Sequence, residues 1–457
     1  MITKIEIDGF KSFQDFSMEF TPFTLVAGRN ASGKSNLFDA LTLLGRLAES
    51  DNLKKALLLQ ERGELTELFT QYGEGDYATQ MYFAVEMLVD KTVKDDWGNT
   101  ATLTYTRLRY ELKIKRLTNA VGMEDLVLFH EHLENLKHKE DPWIKRVPAK
   151  YREHWRPKVK SRRSTPYIET RSENGIETVV VDEGGGKQRR FPLTQAKRTV
   201  LSSFDTVDFP HVLAAKEEMR SWRFLQLNPT ALRQPTDKRT GETTLTPSGT
   251  NLAATLFRIQ QEDAYSMIAV SRKLNQFLPE FIEVEVLDDE ANQQYLVRLK
   301  DKDQKSYSSR VLSEGTLRIL ALCILEQDHE HTGLLCFEEP ENGLHPSRIP
   351  VMADLLNDLS TDFKKTDMPL RQVIVNTHSP GLLGAVHERA KETPDLSVWF
   401  FNVRTTVTDK TGKRRALQTT KVTPVDAQAN QLSLGYSEEE RRLSLHEVSE
   451  YLKAPAL

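Results

Sequence analysis

Apolar and charged residues alternate at the start of the chain, in "IEIDGFKSF" from Ile5, with the period-two rhythm of a half-buried strand. The rhythm changes at "FTLVAGRNASGKSNLFDALTLL", Phe23 to Leu44. Here "FTLVA" reads as a strand covered on both faces, as at the centre of a parallel sheet, and Ser35 to about Leu47 reads as an amphipathic helix. Both signatures recur far downstream. "VLSEGTLRILALCILEQ", Val311 to Gln327, predicts a helix with Ser313 as its N-cap. Leu334–Phe337 within "GLLCFEEPENGLHP", and Val373–Val375 within "RQVIVNTHSPGLL", predict two more all-apolar strands. Two hairpins are expected: "TVVVDEGGGKQRRFPL" turning at Gly184–Gly186, and "VWFFNVRTTVTDKTGKRRALQTTKV" turning at Lys410–Lys413. An acidic-capped helix is expected from Ser437.

Composition narrows the class. A chain of 457 residues suits two or three lobes, and 39% apolar residues suffice for a core. The net charge of −4 gives no general basic field, so any nucleic-acid contact must be local. The two cysteines, Cys323 and Cys336, lie in apolar runs and read as buried thiols of a reducing compartment. The opening strand is not a signal peptide and no apolar run approaches a membrane span, so a cytoplasmic, non-membrane protein is expected.

The strand-to-helix turn fits G-x-x-x-x-G-K-[ST] from Gly28 to Ser35. A loop of this kind turns backbone N–H groups inward as an anion nest, and the helix after it adds a positive dipole end. Gly28, Asn30, Ala31, Ser32, Gly33, Lys34, Ser35 and Asn36 are the expected nucleotide-binding residues, with Lys34 on the β- and γ-phosphates and Ser35 on Mg²⁺. Glu338 and Glu339, at the end of the Leu334–Phe337 strand, suit the metal and the attacking water respectively. His378, just past Val373–Val375, suits the γ-phosphate or that water. Ser313 and Gly315 offer a second anion site, which two copies placed head to tail would use on each other's nucleotide. The paired "HEH" triplets, His130–His132 and His329–His331, are read as helical; i and i+2 share no helix face, so a metal site is not expected.

Lys137 to Arg171 carries twelve Lys/Arg against four acids, with Trp143, Tyr151, Trp155 and Tyr167 interleaved. That pattern suits a DNA contact, a surface for an acidic protein, or a solvated loop.

Together these motifs resemble an ABC-type ATPase head of the SMC/RecF kind: Walker A at Gly28–Ser35, the signature at "LSEGT" with Glu314 where a glycine is usual, Walker B at "LLCFEEP" with Glu338 for aspartate, a D-loop at "ENGLHP", and the switch histidine at His378. The resemblance implies an α/β fold with a P-loop parallel or mixed sheet and an inserted, partly β, basic subdomain. It also implies ATP and Mg²⁺ as ligands and catalysis by Glu339 and His378. Ser313, Glu314 and Gly315 would act in trans, and Ser35, Glu338 and a Q-loop Gln71 would act on the metal. The expected divisions are 1–86 and 223–402 for the head, 87–222 for the insertion, which shows no heptad run, and 403–457 for a docking hairpin and helix. "SWRFLQLNPTALRQP" and "SGTNLAATLFRI" further resemble the ATPase half of OLD-family proteins. Only 79 residues follow His378 and they hold no acidic metal cluster, so the nuclease of that family is expected to be absent or encoded separately. This layout is similar to the ATPase subunit of Septu-type anti-phage systems, with the PARIS ATPase subunit as second match. It implies ATP-sandwiched dimers, up to a hexamer as a trimer of dimers, holding an HNH-type nuclease. The alternative is a RecF-like DNA-repair ATPase with no dedicated effector. A transporter subunit fits poorly with the long insertion.

Overall fold

The computed structural model describes residues 1–58, 64–118, 124–159, 163–408 and 414–425. Two large sheets dominate it. In the first, eight strands run antiparallel in the order Lys187–Pro192, Ile176–Gly184, Ile168–Glu173, Glu124–Asn135, Arg107–Thr118, Gln80–Leu88, Ile2–Asp8 and Phe16–Glu19. In the second, six strands run in the order Arg223–Leu225, Gly333–Glu338, Arg371–Thr377, Phe23–Gly28, Leu396–Thr408 and Arg414–Pro424. The first five are mutually parallel and the last is antiparallel.

Burial follows these two geometries. Phe23–Gly28 and Arg371–Thr377 are buried at every position, as a parallel strand covered on both faces must be. Arg107–Thr118 alternates along most of its length instead, one face in the core and one nearer solvent. The parallel sheet is a partition between two cores. Val26, Leu334, Cys336, Ile374, Trp399 and Phe401 face the core shared with the antiparallel sheet and the Lys34–Glu49 helix. Their neighbours Leu25, Leu335, Phe337, Val375 and Phe400 face the core packed by the Glu314–Gln327, Ile349–Asp358 and Pro380–Ala390 helices.

Several expectations meet a different architecture. The strands of residues 107–192 share one sheet with Ile2–Asp8 and Gln80–Leu88, while Thr92–Lys94 and Thr100–Thr102 pair as a separate two-stranded sheet. The Leu396–Pro424 hairpin, expected outside the head, adds two strands to the parallel sheet, with Leu396–Phe401 paired to Phe23–Gly28. Its turn at Lys410–Lys413 and the helix from Ser437 lie outside the described residues.

The aromatic residues of the basic stretch are mostly not stacking platforms. Trp143, Trp155 and Tyr167 are at most 5% exposed. The Trp143 indole donates to the Phe20 carbonyl at 2.6 Å and that of Trp155 to Phe363 at 3.0 Å. Arg156 and Arg107 both close on buried Asp141. The segment is a strap that ties the antiparallel sheet to the loop before Arg371. The pattern of Arg and Lys between aromatics arises here because long cations cover apolar surface with their stems while the rings turn inward.

His130 and His132 lie on a strand rather than a helix, so they share a face and their rings stack at 6.3 Å. Cys323 and Cys336 are free and buried, and burial pushes both thiols up. His331 is 5% exposed and its Nε2 has no partner among the described residues. Burial, with Arg371 and Arg223 nearby, pushes its pKa down from 6.5 to about 3. The unfolded chain takes up that proton below its ordinary pKa and the folded chain does not. This contribution to stability is therefore whole above the unfolded pKa and is lost as pH falls towards the folded one. His331→Leu is expected to flatten the acid limb of a Tm-against-pH curve between about pH 6.5 and pH 4.

Candidate functional site at the carboxyl edge of the parallel sheet

The phosphate-loop strand ends in Gly28, and the loop hands over to a helix that starts at Lys34. Two glycines are required by space. A Cβ on Gly33, whose φ is +96°, would lie 2.0 Å from the Thr420 hydroxyl; one on Gly28 would lie 2.5 Å from the Phe401 carbonyl. Both obstacles belong to the C-terminal hairpin, which therefore roofs the loop. The Thr420 hydroxyl donates to the Ser32 carbonyl at 3.1 Å and pairs with Ser12 Oγ at 2.7 Å. Ser12 in turn accepts from the Asn36 amide at 2.7 Å.

Lys34 Nζ curls back to the carbonyls of Gly28 and Arg29 at 2.7 and 2.9 Å. Burial lowers its pKa, opposed by the negative charges of Glu339 and Glu338. Ser35 Oγ donates to Glu338 Oε1 at 3.0 Å, and the Asn376 amide reaches the same oxygen at 3.3 Å. A hydroxyl and a carboxylate oxygen in contact, with the Asn376 Oδ1 buried and unpartnered on the neighbouring strand, form an oxygen donor set of the kind a hard divalent cation takes.

Glu339 follows with φ +50°, a left-handed conformation unusual outside glycine, asparagine and aspartate. Its Oε1 meets His378 Nδ1 at 2.5 Å and its Oε2 accepts from the Asn342 amide at 2.6 Å. The sheet explains why residues far apart in sequence meet. Glu338 pairs with Asn376 and Thr377 with Ala27, so the ends of three parallel strands lie side by side. The structure thus brings together Lys34, Ser35, Glu338, Glu339 and His378.

Ser313, Glu314 and Gly315 take no part in those hydrogen bonds within one chain. Ser313 caps its helix, accepting from the Thr316 N–H at 3.2 Å, and Glu314 pairs with Arg318 at 2.6 Å. Among the described residues, a Cβ on Gly315 would meet nothing nearer than the Gly343 carbonyl at 3.7 Å. Their packing does not require that glycine, which leaves room for a ligand at the helix start.

Gln71 does not reach this cluster. It sits on a two-stranded hairpin, donates to the Gly73 carbonyl at 3.2 Å, and lines a separate cleft of about 670 Å³ with Lys11, Ser12, Tyr72 and Gln418. The glutamine beside the metal-type oxygens is Gln226, which sequence reading missed. It follows the Arg223–Leu225 strand, whose Leu225 pairs with Phe337, and it lines a cleft of about 530 Å³ with Ser35, Asp39, Asn228 and Glu338. The available signal was a short strand, "RFL", followed by a glutamine; its place beside Gly333–Glu338 could not be read before the sheet order was known.

Residues 129–384 match the family model described as "AAA domain, putative AbiEii toxin, Type IV TA system", and residues 4–140 match one described as "AAA domain". No curated protein matches the chain. Among solved structures, an Smc head bound to the C-winged helix domain of ScpA is similar with a TM-score of 0.50 at 14% identity, covering 94% of this chain and 99% of that one. Lower scores of 0.39 and 0.42 are given by the SMC head domain of Thermotoga maritima (12% identity, covering 93% and 99%) and by the Pyrococcus furiosus Smc head with an extended coiled coil (13%, covering 98% and 99%). The fold is the α/β fold of an ABC-type ATPase head.

Proposed function

Because the chain belongs to the AAA-domain family described for a putative AbiEii toxin of a type IV TA system, we propose that it hydrolyses ATP as a conformational switch between two heads. The observation that carries this is the contact of Ser35 with Glu338 at 3.0 Å beside the His378–Glu339 pair at 2.5 Å. A phosphate loop, a metal-type oxygen pair and a hydrogen-bonded base thus share one edge. ATP is the substrate. Lys34 leaves its loop carbonyls for the β- and γ-phosphates. Ser35 and Glu338 hold Mg²⁺, which when bound neutralises charge on the phosphates. Gln226, rather than Gln71, lies on the metal side. Glu339 takes a proton from a water held by His378; the water oxygen bonds to the γ-phosphorus, the bond to the bridging oxygen breaks, and ADP and phosphate leave.

The helix start at Ser313, Glu314 and Gly315 covers the nucleotide of a second copy, giving a head-to-tail dimer. The AbiEii description supports a place in anti-phage defence, as an ATP-gated scaffold for a separately encoded nuclease of HNH type, in the manner of Septu-type ATPases. The alternative is a RecF-like repair ATPase. The burial of Trp143, Trp155 and Tyr167 weighs against a stacking DNA contact in residues 137–171.

Native mass spectrometry of the chain co-expressed with its neighbouring genes, with and without ATP–Mg²⁺, tests the reading. The expected result is a dimer or larger assembly with ATP, carrying a stoichiometric second polypeptide. A bare homodimer favours the repair reading, and an ATP-independent monomer defeats the switch. Lys34→Ala is expected to weaken ATP binding by roughly ten- to a hundredfold, the worth of charge-assisted hydrogen bonds, and to keep the chain monomeric; calorimetric titration reads the affinity.

A further inference from the structure

Of the three acids in "FEEPENGLHP", Glu341 is the one the proposed reaction does not use. It is 7% exposed. One of its carboxylate oxygens accepts the Thr377 hydroxyl, and the other is buried with no hydrogen-bond partner among the described residues. Thr377 is fully buried and is the last residue of its strand, directly before His378. Its hydroxyl oxygen also accepts the Ser379 N–H at 2.9 Å. One side chain thus grips the backbone just past His378 and, across the gap, the carboxylate two residues past Glu339.

The turn it grips is strained. Glu339 at φ +50° costs on the order of 1 kcal/mol, and such a residue persists only where its surroundings over-determine it. Within the turn, the Asn342 N–H donates to the Glu339 carbonyl at 3.0 Å and the Leu344 N–H to that of Glu341 at 3.0 Å. Two adjacent side-chain pairs then bridge from the turn to the loop of His378. One, Glu339 with His378, is partly exposed; the other, Glu341 with Thr377, is buried directly beside it. Burial raises the Glu341 carboxyl above the usual range, the Thr377 hydrogen bond opposes this, and the charge of Glu339 adds to it.

We infer that Glu341 and Thr377 are a positioning pair: their buried bond sets the separation of Glu339 and His378 and so aligns the base with its water. The inference rests on reading Glu339 as the base. Its test is steady-state ATP hydrolysis by the full chain, with binding stoichiometry and affinity measured in parallel, for Thr377→Val, Thr377→Ser and Glu341→Leu, with Glu339→Gln as reference. Thr377→Val, isosteric but without the hydroxyl, is expected to lower kcat about ten- to a hundredfold through misplacement. Its ATP affinity and stoichiometry are expected to stay within about twofold of wild type, the split that separates a transition-state role from ground-state binding. Thr377→Ser, which keeps the hydroxyl, is expected to recover kcat to within about threefold of wild type. Should Thr377→Val not fold, Glu341→Leu removes the acceptor instead and is expected to show the same loss. Wild-type kcat in whichever of these folds, or no recovery in Thr377→Ser, overturns the pair. If Glu339→Gln is inactive while Thr377→Val and Glu341→Leu turn over normally, the pair alone fails; full turnover in Glu339→Gln removes its premise.

Discussion

Glu339→Gln is expected to hydrolyse ATP at least about a hundredfold more slowly than wild type, the usual worth of a general base, while still binding it. The substitution is nearly silent in shape. Glutamine meets the same left-handed backbone, and its oxygen can still accept from the Asn342 amide that now holds Oε2 at 2.6 Å. What disappears is the ability to take a proton and the charge beside His378 and Lys34. With hydrolysis stopped, ATP stays between the heads, so the closed pair should accumulate. Single-turnover hydrolysis reads the first effect and size exclusion with ATP–Mg²⁺ the second. Turnover at the normal rate would remove Glu339 from the base role. A slow enzyme that fails to pair would leave the base in place and defeat the dimer switch.

Asp141→Ala is expected to cost about 3–5 kcal/mol of stability, because it strands two buried guanidinium groups. Asp141 is 2% exposed, Arg107 1% and Arg156 8%. The carboxylate accepts from Arg107 at 3.0 and 2.9 Å, while Arg107 also donates to the Thr3 hydroxyl at 2.8 Å and lies 4.9 Å above the Trp143 ring. Burial alone would raise the Asp141 carboxyl; Arg107 and Arg156 reverse this and hold it below the usual range. Its contribution is therefore complete above the unfolded pKa and is lost only as pH falls below it. Urea unfolding at neutral pH checks the magnitude. A loss below about 1 kcal/mol, as for an exposed ion pair, would mean that water reaches the pair.

The nucleotide edge was legible in the sequence because each part of it is local. A phosphate loop is eight consecutive residues, and a parallel strand ending in acids, or just before a histidine, announces its own edge. That these edges coincide follows from the strand order of the sheet. What resisted was whatever depends on distant pairing. Gln71 and Gln226 are equally polar and equally close to a strand; only the pairing of Leu225 with Phe337 distinguishes them. The hairpin after Leu396 announces two strands but not that the first lies against Phe23–Gly28. The strap at Trp143–Trp155 has the composition of a nucleic-acid surface because burying rings under arginine stems and displaying rings to bases use the same residues. Direction, which periodicity over so short and irregular a stretch does not give, decides between them.

The hairpin roof gives the molecule a load path. Val425 donates to Val398 and Thr420 lies five positions before it, with one hydroxyl on the phosphate-loop carbonyl of Ser32. A pull on the chain beyond Pro424 would shear the edge strand along its ladder and arrive at Ser32 and, through Ser12, at Asn36. The phosphate loop is thus joined mechanically, through Thr420, to the last strand of its own sheet.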